Sequence, residues 1–551
     1  GQGAGGPGGA GAGATAEPQA NAAAAAPRLE IDSDRVTGSI SLRGGRIDEL
    51  RLDDYRETID PESPPVELLA PIGEQHPFYA VYGWLPTPER PVATPGPNTD
   101  WTVESGDRLT PETPVTLVWD NGAGLIFRRT VSLDENYMFA VRQSVENLSG
   151  EPVTLAPYAY VARRGEPETV NFYILHEGAI GKFDGVLTEL DYDDLRELEG
   201  LGGPGERQQV VSVREAGWLG FTDKYWMATL VGPEGGNFDA VFKFAQLQSG
   251  PEYRTEMRLP PVTVAPGETA GADTRLFAGA KEFRTIRDYE RGGIPRFTDA
   301  IDWGWFFFLT KPFLQLLLFF NDLLGNMGWS IIALTLVVKL VLFPLAWKSY
   351  VAMSKMKKLQ PEMEKIKERV GDDRMKMQQE MIALYKREKA NPAAGCVPIL
   401  LQVPIFFALY KVLFISLEMR HAPFVLWIED LSAPDPTSIL NLFGLLPFAA
   451  PDPQSILGIF SIGVFPILLG ITMWLQQKLN PAPTDKTQAM IFAWMPWIFM
   501  FMLGQFAVGL VIYWVANNVI TFVQQYAIMR SQGVDVDVLG NVKAGFKRKK
   551  A

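Results

Sequence analysis

The residue that most invites a chemical reading is Lys339, in the middle of Ile331-Ile-Ala-Leu-Thr-Leu-Val-Val-Lys-Leu-Val-Leu-Phe343. A lysine at the centre of a membrane-spanning helix costs roughly 2.5–3.5 kcal/mol on insertion scales. Lys348 lies nine residues further on, about 13 Å along a helix and beyond the reach of a lysine stem, so simple snorkelling from the membrane centre is awkward. Thr335 lies one turn earlier on the same face. No Asp or Glu falls within any of the long apolar runs, so Lys339 has no counter-ion there. A hydrated cavity is the physical solution, and an anchor in a thinned bilayer is the alternative. Other runs carry polar groups at helical spacing: Tyr513, Asn517, Thr521 and Gln525, each four apart, with Asn518 and Gln524 beside them; Thr472 with Gln476; and Gln402. Such side chains can simply join helices. Together with an unpaired lysine they favour a polar groove. Lys411, seven residues before Glu418, is expected to snorkel outward.

Nothing points to catalysis. The patterns G-x-x-x-x-G-K-[ST], H-E-x-x-H and G-x-S-x-G are absent. Gly1-Gln-Gly-Ala-Gly-Gly matches G-x-G-x-x-G only formally, inside low-complexity chain with no strand before it. The pair His176-Glu177 lacks a third partner. One cysteine, Cys396, excludes a disulfide framework and a Cys-rich zinc site, and His76, His176 and His421 lie far apart in sequence. No metal, cofactor or enzymatic activity is expected.

These residues sit in a chain of two opposite halves. The 551 residues carry a net charge of −12 and a mean hydropathy of +0.02. Residues 1–300 hold about −19 of that charge and 301–551 about +7. The acidic half has no long apolar run; the second half has several near the 20 residues needed to cross a bilayer core of ~30 Å. Residues 1–27 are a Gly/Ala linker too poor in apolar groups to order itself. The chain opens on Gly1 rather than Met, from which a removed upstream segment is expected. Residues 28–295 alternate in short stretches, such as Val36–Leu42, Val115–Trp119, Phe139–Val145 and Ala240–Phe244. Asn121-Gly122, Gly44-Gly45 and Pro233–Gly236 punctuate them, which predicts a large β-sandwich. Residues 282–293 read as a short exit helix.

Residues 302–326 are apolar but interrupted by Pro312, with Lys311, Gln315 and Asp322 on one helical face. They read as an amphipathic helix lying in the interface. Five spans follow, at about 329–348, 396–417, 457–477, 489–505 and 508–528, making a helical core over 329–530. Twelve Lys/Arg in 346–390 and the basic tail 531–551 with Lys547-Arg-Lys-Lys550, against an acidic 418–456, place the first two and 478–488 in the cytoplasm. The β-domain and 418–456 then lie outside. Residues 439–450 are too short to cross and read as a surface or re-entrant segment. Within 349–390, Met353, Met356, Gln360, Met363, Ile366 and Val370 recur at helical spacing. Gly371-Asp-Asp373 then turns into a second helix with Met377, Met381 and Leu384 on one face. Two short helices in an antiparallel hairpin are expected. Met356, Lys357, Lys358, Met377 and Met381 are its candidate contact residues, because Met-rich faces adapt to varied partners. A self-packed hairpin is the plainer alternative. The tail could bind rRNA or anionic lipid, or serve only to orient the chain.

The run from Gly328-Trp-Ser-Ile-Ile332 through Lys339 to Pro344-Leu345 resembles the YidC family of membrane protein insertases. So do Met356-Lys-Lys-Leu-Gln-Pro361, Tyr385-Lys386 through Asn391-Pro392 with Gly395-Cys396, and Gln402-Val-Pro-Ile-Phe406. Ala422-Pro-Phe-Val-Leu-Trp427 with Asp430-Leu-Ser432, and Gly509-Leu-Val-Ile-Tyr513, complete the likeness. It covers about 302–530. Gly217-Trp-Leu-Gly-Phe221 with Asp223-Lys-Tyr-Trp226 resembles the periplasmic β-sandwich of Gram-negative members. The resemblance implies five core spans around a positively charged groove, open to cytoplasm and lipid and closed outside. Lys339 matches the position of the family's groove charge, often Arg; Thr335, Gln402 and Tyr513 match other groove positions. Residues 439–456 look like an insertion, Lys411 replaces a commonly apolar or aromatic residue, and the usual first span is missing. The implied function is a membrane protein insertase and chaperone of the inner membrane. Its implied partners are nascent membrane proteins, ribosome, targeting receptor, secretion translocon and lipids, with no DNA. An ion-coupled transporter would show internal repeats or intramembrane acids, and a membrane-anchored enzyme would show clustered acid/base residues in the β-domain. Neither pattern is present in the sequence.

Overall fold

The computed structural model describes residues 26–88, 90–167, 169, 175–203, 205–371, 373–388, 391, 397–448, 455, 458–480 and 486–534. The expected Gly/Ala linker before residue 26, Cys396 and the basic tail beyond 534 lie outside them. The chain divides into two compact units, 1–302 and 303–551.

The first unit is sandwich-like, built from a twelve-stranded and a nine-stranded sheet. Among the described residues its strand pairs are antiparallel except one, between Arg28–Asp32 and Arg108–Leu109. Period-two alternation is cleanest in Leu125–Leu133, where every second residue is buried. Asn121-Gly122 turns the chain into that strand. The Asn121 carboxamide oxygen accepts from the Ala123 and Leu125 N–H groups at 2.8 and 3.0 Å, and Gly122 takes φ 70°, a region that glycine enters at no steric cost. Phe78–Pro86 and Val153–Arg164 pair with each other inside the larger sheet, and their near-continuous burial explains why they do not alternate. Trp218, in the Gly217–Thr222 strand, is fully buried.

One described α-helix lies among the strands and one follows the last of them. Helix α1, Tyr192–Glu197, starts at an Asp191 capping box. Helix α2, Phe283–Arg291, is the expected exit helix. Glu282 at its cap accepts from Tyr55 and Tyr137 hydroxyls at 2.6 and 3.1 Å and pairs with Arg35. Beyond α2, Lys182 pairs with Asp299 at 2.8 Å and the Trp218 indole donates to the Pro295 carbonyl at 3.2 Å. The chain is thus stitched to the sheets well past its last strand.

The second unit is helical: α3 Phe307–Leu324, α4 Met327–Val341, α5 Phe343–Val370, α6 Arg374–Arg387, α7 Val397–Ile415, α8 Val464–Gln477, α9 Lys486–Leu503 and α10 Val508–Ser531. Among the described residues, α3 is the one unbroken helix both long and apolar enough to cross a membrane. The expected single span 329–348 is broken: α4 and α5 bend by 67°. The reason is local. Pro344 lies in the first turn of α5, where its missing N–H costs nothing, so a new helix axis starts there. Three shorter apolar helices cover Leu400–Ile415, Val464–Gln477 and Thr487–Leu503. α10 has the length, but its amides dilute its apolar residues.

The hairpin also departs from expectation. Its first arm is not short but the end of the 28-residue α5. Gly371 turns the chain at φ 65°, and Asp373 caps α6 by accepting from the Lys376 N–H at 3.1 Å. Arg387 pairs with Glu362 at 2.7 Å, holding the arms antiparallel. Lys411 is only 7% exposed, not held out in solvent. Its stem occupies the slot left by Gly304, where a Cβ would lie 3.4 Å from Cε.

Candidate functional site

α10 supplies the spine of the polar site. Tyr513, Asn517, Asn518, Thr521 and Gln525 are all buried, because the four-residue spacing turns them onto the side of α10 packed by α4, α5 and α8. Four of them bond to three other helices or their ends. The Lys339 ammonium on α4 donates to the Thr521 hydroxyl at 2.8 Å. Gln402 on α7 donates to the Tyr513 hydroxyl at 2.8 Å. Asn518 donates to the Thr472 hydroxyl on α8 at 3.3 Å, and Gln525 to the Asn480 side chain just after α8 at 2.9 Å. Thr335 is buried but turns back on its own helix, donating to the Ile331 carbonyl at 2.7 Å.

Satisfaction is incomplete. The Asn517 carboxamide oxygen and the Gln477 amide nitrogen are buried without a hydrogen-bond partner. An orphan of this kind costs about 1–3 kcal/mol in an apolar setting. Gln476 is half-buried, and no side-chain bond ties it to the stripe. The four-residue step from Thr472 selected it and passed over Gln477, whose role depends on which way α8 faces. Asn480, past the apolar run, carried no periodic signal at all. α4, α7, α8, α9 and α10 contain no acid, and Lys339 is met by the Thr521 hydroxyl rather than a carboxylate. Among the described residues no group of acids, histidines or cysteine could hold a metal ion.

Both ends of the bundle are tied. At one end, a single loop fills N–H groups at two helix N-termini, where they lack intrahelical partners, and holds the cap of a third. Asn326 caps α4 through the Trp329 N–H at 3.1 Å and donates to the Phe424 carbonyl at 3.1 Å. Asp435 accepts from the Phe465 N–H of α8 at 2.9 Å and from the Trp427 indole at 3.2 Å. The Ala433 and Leu431 carbonyls accept from the Val508 and Gly509 N–H groups of α10 at 2.8 and 3.0 Å. At the other end, Lys357 donates to the Leu479 carbonyl at 3.3 Å and Lys358 to the Gln532 carbonyl at 2.8 Å. Burial lowers the Lys357 ammonium below its ordinary pKa. These two lysines, expected at a partner surface, instead close the C-terminal ends of α8 and α10, where cations suit the helix dipole. Met356, Met377 and Met381 are half-buried; among the described residues, Met375 and Ile382 are the exposed large apolar side chains of the hairpin.

In the first unit the buried carboxylates are held by arginines. Burial alone would raise the Glu252 carboxyl, but Arg254 and Arg164 hold it below its ordinary value. Glu282 is lowered in the same way by Thr285, Tyr55 and Arg35 against its burial. Asp223 takes a two-pronged bond from Arg163 at 2.7 and 2.5 Å. These are structural pairings.

Comparison with known proteins falls on both units. Residues 28–316 match the family described as YidC periplasmic domain, and 319–534 that described as 60Kd inner membrane protein. A protein of Ruegeria sp. strain TM1040 named membrane protein insertase YidC is 59% identical over 94% of this chain and 85% of its own. One of the same name from Dinoroseobacter shibae is 58% identical over 95% and 86%. A galactose mutarotase-like protein from Lactobacillus casei covers 46% of this chain and all of its own at 12% identity, with a TM-score of 0.27, a likeness that carries no argument.

Proposed function

The chain belongs to the YidC family of membrane protein insertases, inner-membrane proteins with a periplasmic domain, and from that premise we propose that it works through the polar stripe around Lys339. A nascent hydrophobic segment slides along the lipid side of α4 and α10. Its short polar flank enters the stripe, drawn by the Lys339 ammonium, and part of its desolvation cost is offset there. The segment then leaves sideways into lipid. The step is non-covalent and uses no metal or nucleotide. The observation that carries this reading is Lys339 bonded to Thr521 across two helices beside the orphaned Asn517 oxygen.

Five spans, α4 with the start of α5, α7, α8, α9 and α10, make the membrane core in this proposal, with the first unit outside and the hairpin inside. The shared capping loop supports it, since α4, α8 and α10 begin at one end. α3 lies in the interface, its Lys311 ammonium 5.3 Å from the centre of the Trp303 ring. The hairpin, through its basic residues with Met375 and Ile382, receives ribosome and targeting receptor, and the first unit docks the secretion translocon outside. A photo-crosslinker at Asn517 tests the route: with a stalled ribosome–nascent chain it should capture the client's translocated flank. Capture only from lipid-facing Val519 would overturn it.

A further inference from the structure

The loop that caps the helix N-termini carries a second feature. From Pro436 to Phe448 it holds no charged residue. Its apolar side chains face outward: Ile439, Leu440, Leu442, Phe443, Leu445 and Phe448 are exposed, Leu445 at 84%. So dense an apolar patch is unusual on a surface that meets water alone.

The loop is not slack. The Phe443 N–H donates to the Ser438 carbonyl at 2.7 Å and the Leu446 N–H to the Asn441 carbonyl at 3.1 Å. The Asn441 side chain accepts from the Gly444 N–H at 3.0 Å and donates to the Phe448 carbonyl at 3.2 Å. Leu442 and Phe443 are held at φ 50° and 58°, left-handed geometry that costs residues with a Cβ roughly 1–2 kcal/mol each. The fold therefore bears strain to satisfy the backbone inward while turning leucine and phenylalanine outward. Apolar side chains turned outward over a partly paired backbone suit the headgroup–acyl boundary, where apolar faces bury only shallowly. The loop is also anchored at the membrane boundary, because the Ser438 and Ser461 hydroxyls meet at 2.8 Å and Ile439 N–H donates to the Ile462 carbonyl at 2.9 Å, two residues before α8.

We propose that residues 439–448 form a wedge seated in the outer leaflet, with lipid acyl chains as its occupant. An apolar face with no charge, continuous with the first turn of a bilayer helix, suits lipid better than a second protein, whose contact rims are polar. The inference rests on α8 being a membrane span.

The test uses the full chain in vesicles of phosphatidylethanolamine and phosphatidylglycerol, with Cys396→Ser as background. Nitroxide labels are placed at Leu445→Cys, Phe448→Cys, Val519→Cys on α10 and Glu135→Cys in the first unit. Collision with oxygen, which partitions into lipid, is compared with collision with a water-soluble nickel chelate. Leu445 and Phe448 should show an oxygen-to-nickel ratio several-fold above Glu135 and near that of Val519. Adding Leu445→Asp should drop the Phe448 ratio toward the Glu135 value. A water-like ratio at Leu445 with a lipid-like Val519 would overturn the wedge alone. Low access to both reagents at Leu445 would mean protein covers it, and would overturn the wedge too. A water-like Val519 would overturn the span reading on which the wedge rests.

Discussion

At Lys339 the sign of the charge and the reach of the side chain can be separated. Lys339→Arg keeps both and should insert clients normally, although Arg forks its bonds where Lys is a point donor. Lys339→Ala should slow insertion of clients with acidic flanks by roughly tenfold, which is about 1.4 kcal/mol, yet leave the protein as stable or more so. Lys339→Glu should be worst for those clients, since attraction becomes repulsion. Insertion of one client with Asp/Glu or Asn/Gln flanks, measured against all three variants, decides it; equal rates across the matrix would sink the electrostatic account. The carboxylates of the first unit give a different signal. Glu252 and Glu282 are held below their ordinary value in the folded chain. A depressed carboxyl contributes stability that is present above the unfolded pKa of about 4.3 and drains as pH falls through the folded one. Melting of the first unit should therefore be flat from pH 7 to 5 and fall steeply below 4. Glu252→Gln should lower the neutral-pH melting temperature and flatten that acid limb; an unchanged limb would assign the loss to other groups.

Among the elements, the hairpin has two jobs in the proposed function. Lys357 and Lys358 close the ends of α8 and α10 and belong to the bundle, whereas the partner contacts are assigned to the part beyond Glu362. Replacing 363–386 with a short Gly/Ser link should keep the spans folded while reducing crosslinks to ribosome and targeting receptor. A deletion that starts before Lys357 should also destabilise the bundle. Unchanged crosslinking in the shorter deletion would count against the partner role. Helix length makes a second prediction. α8 has 14 residues, about 21 Å at the helical rise, against a core of ~30 Å. With α8 a span, as proposed, the bilayer thins beside it, and insertion should fall steadily as acyl chains lengthen in reconstituted vesicles; a rate indifferent to thickness would refute this. The strands and their turns were legible because period-two burial and Asn121-Gly122 are local signals. The polar stripe of α10 was legible because four-residue spacing is also local. The bend at Leu342 was not, since Pro344 reads alike at a helix start and inside an apolar run. Nor were the targets of Lys357 and Lys358, which lie more than a hundred residues away, or the inward facing of Gln477.

For the whole molecule, the division at 302/303 separates an acidic β unit from a basic helical one. The positive-inside bias acts on the second. In inner-membrane vesicles of native orientation, protease added outside should remove residues 28–295 and spare 346–390. Cleavage of the hairpin from outside would reverse the orientation, and protection of the β unit would do the same.

The loop that fills the first-turn N–H groups of α8 and α10 also shapes the electric field. In the proposed topology the wet stripe opens to the cytoplasm and the capped end is dry. A transmembrane voltage falls mainly across the insulating part of its path, here the stretch between Lys339 and Asp435. A flank resting at Lys339 has yet to cross most of that drop, worth about 2.3 kcal/mol per charge for each 100 mV. With the inside negative, the field pushes acidic flanks outward and holds basic ones back. The polarity that Lys339 is proposed to select on entry is thus the polarity that voltage releases.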